Sequence, residues 1–191
     1  THDAPTPATR RTTLATLGAG FAALAAAPAQ AAPPPPGEYL DVKSFGAKGD
    51  GVTDDTGALA KAIAQGQAES RPVNLPLGNY RLTKPLQLHK QTLIGSPEGA
   101  WPGDEDALPV LMVDHQHGPA IEMQPSSAVS GLKIEYRHPD FPEIIQFPPA
   151  IIIRGTGVRI SNLKISNAWT GIYCDDTLTD RNNGRLNIEN V

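Results

Sequence analysis

At 191 residues the chain is long enough for one domain with a core of its own. Its 16 Lys+Arg against 20 Asp+Glu give a formal charge of −4 with no basic block after the first residues, so neither nucleic acid nor an anionic membrane is indicated as a partner. The 18 glycines and 19 prolines favour many short strands and turns over long helices.

Residues 1–31 read as an export segment. Thr9-Arg10-Arg11-Thr12-Thr13-Leu14-Ala15 resembles the twin-arginine motif, with Leu14 at its apolar position. An Ala/Leu/Gly run follows to about Ala27, then Ala29-Gln30-Ala31, a small-x-small cleavage site. The rival reading is a membrane anchor, but Leu14 to Ala27 is too short and too rich in alanine to span a bilayer. The resemblance implies the twin-arginine translocase as a partner during export, an extracytoplasmic location and no stable membrane anchor. Residues 32–38 include Ala32-Pro33-Pro34-Pro35-Pro36-Gly37, a stiff polyproline linker, so the folded domain is expected over 39–191.

That domain opens on Asp41-Val42-Lys43-Ser44-Phe45, which alternates polar and apolar residues and is expected to be extended. Gly46-Ala47-Lys48-Gly49-Asp50-Gly51 is a tight turn whose three glycines are free to take positive φ. Thr53-Asp54-Asp55-Thr56 then supplies N-cap oxygens for a helix over about Asp55 to Glu69, with Ala58, Leu59, Ala62 and Ile63 on one stripe. The whole stretch, D-V-K-S-F-G-A-K-G-D-G-V-T-D-D-T, closely resembles the N-terminal signature of the pectate-lyase-like superfamily. The resemblance implies a right-handed parallel β-helix, an all-β solenoid, whose open end is plugged by an N-terminal capping α-helix. It also implies a polysaccharide substrate, held in a groove along one sheet in coils beyond the cap.

After the helix come Val73-Asn74-Leu75-Pro76, Tyr80-Arg81-Leu82, Leu86-Gln87-Leu88 and Thr92-Leu93-Ile94-Gly95, short runs separated by Pro and Gly turns. Val73 to Tyr80 resembles the superfamily's V-x-L-P-x-G-x-Y passage from the cap into the first coils. The acidic loop Trp101-Pro102-Gly103-Asp104-Glu105-Asp106 offers oxygens that suit calcium, but its spacing matches no ligand pattern, and it is read as a solvated loop. His115-Gln116-His117 suits a metal if both rings face one way on a strand. Between Asp114 and Gly118-Pro119 it is read as a turn, so no cofactor or metal is assigned.

The second half carries an internal repeat. Val129-Ser130-Gly131-Leu132-Lys133-Ile134 matches Ile160-Ser161-Asn162-Leu163-Lys164-Ile165 at every position, identically or conservatively, except Gly131/Asn162. Leu186-Asn187-Ile188 repeats its core, which predicts Leu132, Leu163 and Leu186 as one inward column. Upstream of each unit lies a second apolar run: Ala120-Ile121-Glu122-Met123, Ala150-Ile151-Ile152-Ile153 and Gly171-Ile172-Tyr173-Cys174. Helical solenoids need longer runs at 3.6 spacing, and leucine-rich repeats need their Leu/Asn pattern; stacked coils that pair at about 4.8 Å fit instead. Asn167 and Asn190 recur at one coil position, with Tyr136 in their place one unit earlier, and are read as a corner ladder of stacked amides. The insertion Arg137 to Pro149 reads equally as a loop shaping a sugar cleft or as a proline-stiffened surface loop. Cys174, the single cysteine, excludes an intrachain disulfide and is read as a small core residue.

Polygalacturonase-like members carry N-T-D, D-D and G-H-G in successive coils, giving paired carboxylates for acid and base work. Here Asp175-Asp176 is the matching pair, and there is neither a G-H-G nor an R-I-K-like segment. The epimerases' D-P-H-E is missing, Arg137-His138-Pro139-Asp140 does not match it, and calcium-dependent lyase machinery cannot be assembled. Asp175 and Asp176 are therefore the catalytic candidates, sharing acid and base roles if a turn turns both into the groove. The competing reading is that they open a solvated turn. The expected function is an exported enzyme that degrades or modifies pectin-like or other uronic-acid glycans, with catalytic coils continuing past Val191. The alternative is a non-catalytic β-helix that binds glycan or serves as a structural module.

Overall fold

Strands of the computed structural model stack in parallel into three ladders, and the four complete passes of the chain that follow the helix each add one rung to every ladder. The structure describes residues 39–96, 107–137, 146–175, 186–189 and 191. All belong to one compact unit, Ala31–Val191; the other unit, Thr1–Gln30, lies outside the described residues. So do the proline linker, the acidic loop, Asp176, Asn190 and the middle of the 137–149 insertion.

The first ladder runs through β1 (Leu40–Asp41), β3 (Val73–Asn74), β6 (Thr92–Ile94), the first part of β9 (Ala128–Tyr136), the first part of β11 (Arg159–Ser166) and β13 (Asn187–Glu189). The second takes β2 (Asp50–Asp54), β4 (Asn79–Leu82), β7 (Val110–Val113) and the second parts of β9 and β11. The third is β5 (Leu86–Leu88), β8 (Ile121–Met123), β10 (Ile151–Ile153) and β12 (Ile172–Cys174). This is the expected parallel β-helix. Within a strand, side chains alternate between interior and surface, so residues in register form columns. One inward column is Leu40, Val73, Leu93, Val129 and Ile160, all buried. Another is Leu86, Ile121 and Ile151, continued by the half-buried Ile172. Burying each such side chain is worth about 1.5–3 kcal/mol.

β9 and β11 pass through the corner between two ladders without losing their register, and the repeat explains how. Val129 pairs with Ile160, Leu132 with Leu163 and Ile134 with Ile165, as the two hexapeptides predict. The one mismatched pair sits at the corner: Gly131 has φ +68 and Asn162 φ +49. Glycine and asparagine are the residues that enter the left-handed region at low cost, so the mismatch preserves one backbone requirement.

The helix α1 spans Thr56–Glu69 and buries Leu59, Ala62 and Ile63 against the first coils. It ends where Ser70 turns left-handed and the Arg71 N–H donates to the Gly66 carbonyl, 2.9 Å. Its start differs from expectation. The Asp55 side chain caps nothing; it is buried and accepts the N–H groups of Lys48 (2.7 Å) and Gly49 (2.9 Å), clamping the glycine turn. Asp54 accepts from the Thr56 N–H and hydroxyl instead. Gly46, Gly49 and Gly51 all take positive φ, as the turn requires. Val42–Phe45, expected to be extended, forms one 3-10 turn after β1, because the Asp41 carboxylate accepts the Lys43 N–H and Gly46 closes the turn left-handed.

Two further expectations are corrected. Ile188 pairs with Ile160, so Leu186 does not continue the Leu132–Leu163 column. The corner at Asn162 restarts the inward alternation, and a three-residue echo cannot distinguish the strand before the corner from the one after it. Cys174 falls on the inward column below Ile153, yet it is exposed, because β12 is the edge of its sheet among the described residues. Of the two asparagines read as a corner ladder, Asn167 takes φ +59 and its amide donates to the Tyr136 backbone carbonyl one coil earlier, 3.4 Å. Asn190 lies outside the described residues.

Candidate functional site

The third ladder presents the chemistry. Its inward residues are apolar, and its outward ones on β8, β10, β12 and the residue after each are Glu122, Gln124, Ile152, Arg154, Tyr173 and Asp175. The backbone ladder continues past the strand ends, with the Arg154 N–H donating to the Met123 carbonyl (2.7 Å) and the Asp175 N–H to the Ile153 carbonyl (2.9 Å). Arg154 and Asp175 are therefore held at equivalent positions of successive coils, facing the same way.

Their side chains meet. The Arg154 guanidinium donates to the Asp175 carboxylate and lies 3.1 Å, Nε to Oε1, from Glu122. One cation is thus shared between carboxylates from the coil before and the coil after. Asp175 is 8% exposed, Glu122 20% and Arg154 33%, so the pairing is only partly wet. Desolvated carboxylates this close repel unless a cation lies between them, and Arg154 fills that place. Tyr173, two residues before Asp175 on the same side of β12, is exposed, and so is Trp169 in the turn between β11 and β12. The arrangement offers planar hydrogen-bonding groups with one exposed aromatic ring, that of Tyr173, on the same side of the strand.

Of the two residues singled out from the sequence, Asp175 is brought into this cluster and Asp176 lies outside the described residues. Glu122, Arg154 and Tyr173 were missed. Their signal was present in the three aligned apolar runs: the position after each run reads Gln124, Arg154, Asp175, two of them charged and opposite.

The histidine pair comes apart. It follows β7 in a loop, with His115 buried and His117 exposed. Neither His115 ring nitrogen has a hydrogen-bond partner, and burial, with His117 beside it, holds its pKa below the ordinary value. Among the described residues no group of three or more His, Cys, Asp or Glu is placed to hold a metal ion. No helix among them is long and apolar enough to cross a membrane.

A second polar cluster stands at the front. Arg81 pairs with Asp114 at 2.7 Å and donates to the Val52 carbonyl, while Arg137 donates to the Gly51 carbonyl, 3.1 Å. These bonds fasten the 50–54 segment, whose pairing with β4 is irregular, onto later coils. The role is to hold the cap.

Parallel coils behind a capping helix define the class. Residues 39–105 match the family described as rhamnogalacturonase A/epimerase, pectate lyase-like. Among curated proteins it is similar to a glucan 1,3-beta-glucosidase of Cochliobolus carbonum, 39% identical over 71 residues, covering 31% of this chain and 9% of that protein. A pre-neck appendage protein of Bacillus phage phi29 is 42% identical over 55 residues, 29% of this chain and 6% of that one. Alginate lyase 7 of Azotobacter vinelandii is 55% identical over 47 residues, 24% and 5%. The matching segments span less than a tenth of each of these relatives.

Proposed function

We propose that this chain belongs to an exported polysaccharide-processing enzyme whose glycan lies across the outer side of β8, β10 and β12. The observation that supports it is the Glu122–Arg154–Asp175 cluster, drawn from three successive coils and flanked by the exposed Tyr173. A solenoid repeats its coil about every 4.8 Å, so a polymer laid along the axis meets one coil after another. Asp175, held by Arg154, and Asp176, its neighbour in sequence, are the carboxylates that would share the acid and base roles. The superfamily resemblance would make the substrate a pectin-like or other uronic-acid glycan. Export by the twin-arginine route rests on Arg10-Arg11 and the Ala29-Gln30-Ala31 cleavage site.

One observation favours the second reading, a non-catalytic glycan-binding or structural module. It is supported by the similarity of a 55-residue segment to a pre-neck appendage protein of Bacillus phage phi29, a name that describes a part of a particle and no reaction. Assay of the full chain on a panel of acidic and neutral polysaccharides, by release of reducing ends and of unsaturated products, decides between them. The enzyme reading expects turnover that falls at least about a hundredfold, as for loss of an acid–base group, in Asp175→Asn or Asp176→Asn. Binding without turnover favours the module, and equal turnover by both variants removes the pair from the chemistry.

A further inference from the structure

We infer that the glycan site continues forward onto the coil of β5, where His89 donates from its Nε2–H to a glycan oxygen; the inference rests on the site proposed above and adds a residue to it. β5 pairs with β8 in the register that carries on to β10 and β12. His89 therefore follows its strand as Gln124, Arg154 and Asp175 follow theirs. The Gln124 N–H donates to the Leu88 carbonyl, 2.8 Å, just as the Arg154 and Asp175 N–H groups donate one coil back. Successive coils thus place His89, Gln124, Arg154 and Asp175 in one outward column, which three steps of about 4.8 Å make about 14 Å long. The Glu122–Arg154–Asp175 cluster occupies only its rear.

The capping helix orients the imidazole. Nδ1 of His89 lies 3.3 Å from Nε2 of Gln67, in the last turn of α1. That amide nitrogen carries two hydrogens and has nothing to accept with, so Nδ1 is the acceptor and the neutral ring holds its proton on Nε2. The two ring nitrogens stand on different edges, so the bond to Gln67 turns Nε2–H away from the helix. Nε2 has no hydrogen-bond partner among the described residues, and the ring is half-buried. The result is a donor that is held in place and left open.

A hydroxyl and a carboxylate oxygen both accept from such a donor. The surroundings admit either. Gln87, outward on β5, is exposed and can donate or accept, while Lys84 before the strand and Lys90 after it are exposed and bring positive charge to this end of the column. The shared chemistry is an oxygen acceptor on the glycan, and the polymers of the test separate its two sources.

Two amide side chains separate this role from a structural one, because each reproduces half of the ring. Asparagine reaches about as far as Nδ1 and keeps a group for Gln67; glutamine reaches about as far as Nε2 and keeps a donor for the glycan. Equilibrium binding of the full chain and of His89→Gln, His89→Asn and His89→Ala is measured on a soluble β-glucan, a soluble α-glucan, polygalacturonate and alginate. Denaturant midpoints are taken for each protein. Affinity for the polymer that binds should fall about three- to tenfold in His89→Asn and His89→Ala and stay within about twofold in His89→Gln. A loss seen on the glucans makes the oxygen a hydroxyl, and one confined to the polyuronates makes it a carboxylate. Long-range nitrogen–proton spectra of the five histidines, with His89 assigned by its absence from His89→Gln, should show the Nε2–H tautomer. Added glycan should shift that ring. If His89→Ala unfolds, the two amide variants and the spectrum decide. Unchanged binding by every variant, an Nδ1–H ring, or affinity that follows stability with asparagine the better substitute overturns the inference and leaves the glycan site standing. Binding of none of the four polymers overturns both.

Discussion

At the front of the solenoid the inward columns end under α1, and polar side chains finish what the helix leaves open. Asp55 holds the glycine turn, Arg81 and Arg137 fasten the 50–54 segment, and Leu40, Leu59 and Val73 are buried. The last described rungs share the same register and are finished differently. Ile188 continues the Val129–Ile160 column and is 43% exposed, while Cys174 continues the Met123–Ile153 column and is exposed too. The family match covers 39–105, the front, whereas Glu122, Arg154, Asp175 and Tyr173 all lie past it. Similarity thus follows the part whose geometry admits few sequences, a left-handed glycine turn clamped by a buried carboxylate. The Glu122–Arg154–Asp175 cluster stands on outward positions, which the packing of the coil interior does not fix. A resemblance confined to the cap therefore identifies the fold and says little about the substrate.

The sharpest way to break this contrast is to cut the same column at both ends. Leu40→Ala removes a fully buried side chain at the front of the stack and should cost about 2–5 kcal/mol. Ile188→Ala, in the same column at an exposed rung, should stay within about 0.5 kcal/mol. Denaturant midpoints with unchanged slopes measure both. Equal losses would show the two ends to be finished alike.

Corner residues sharpen the comparison within one register. A Cβ on Gly131 would stand 1.9 Å from the Ser96 carbonyl oxygen, so Gly131→Asn should lose about 1–3 kcal/mol although asparagine tolerates its φ of +68. At the equivalent position one coil on, Asn162→Ala should cost about 1–2 kcal/mol for its left-handed backbone, and Asn162→Gly, which accepts that backbone freely, should cost less. Thermal melts of the three variants rank them. If Gly131→Asn is as stable as the wild type, the corner is limited by φ alone.

The smallest effect concerns acid. N–H groups of Thr53 and Val52 and the Thr53 hydroxyl hold the Asp50 carboxyl down from 3.8 to about 2. A depressed folded pKa contributes stability that is present above 3.8 and is lost as pH falls towards 2. Asp50→Asn should therefore flatten the acid limb of the stability profile between about pH 4 and 2 and leave neutral pH nearly unchanged. Chemical denaturation at a series of pH values reads it, and an unaltered acid limb would mean that the turn bonds do not form in solution.

Much of this architecture was legible because the coil imposes a pattern on the residues that face inward. The hexapeptides at 129–134 and 160–165 gave the register directly, and the three apolar runs gave the third ladder. Leu186-Asn187-Ile188 misled because its spacing of two recurs on either side of a corner, where Asn162 restarts the alternation. Cys174 misled because an inward position is buried only where another rung covers it. In the site, Asp175 was found as half of an Asp-Asp pair, a signal of adjacency in sequence. Its partners are adjacent only through stacking, Arg154 one coil earlier and Glu122 two. Reading down the columns of the aligned runs, instead of along the chain, brings all three together.

The central claim is that the glycan occupies the outer side of β8, β10 and β12 and not the cap. Hydroxyl-radical footprinting of the full chain, with and without whichever polysaccharide of the panel it binds, tests this through two tyrosines of nearly equal exposure. Tyr39, at the front, is 45% exposed and Tyr173 is 44% exposed. The account predicts that bound glycan suppresses labelling of Tyr173 and leaves Tyr39 unchanged; protection of Tyr39 with Tyr173 still fully labelled would contradict it.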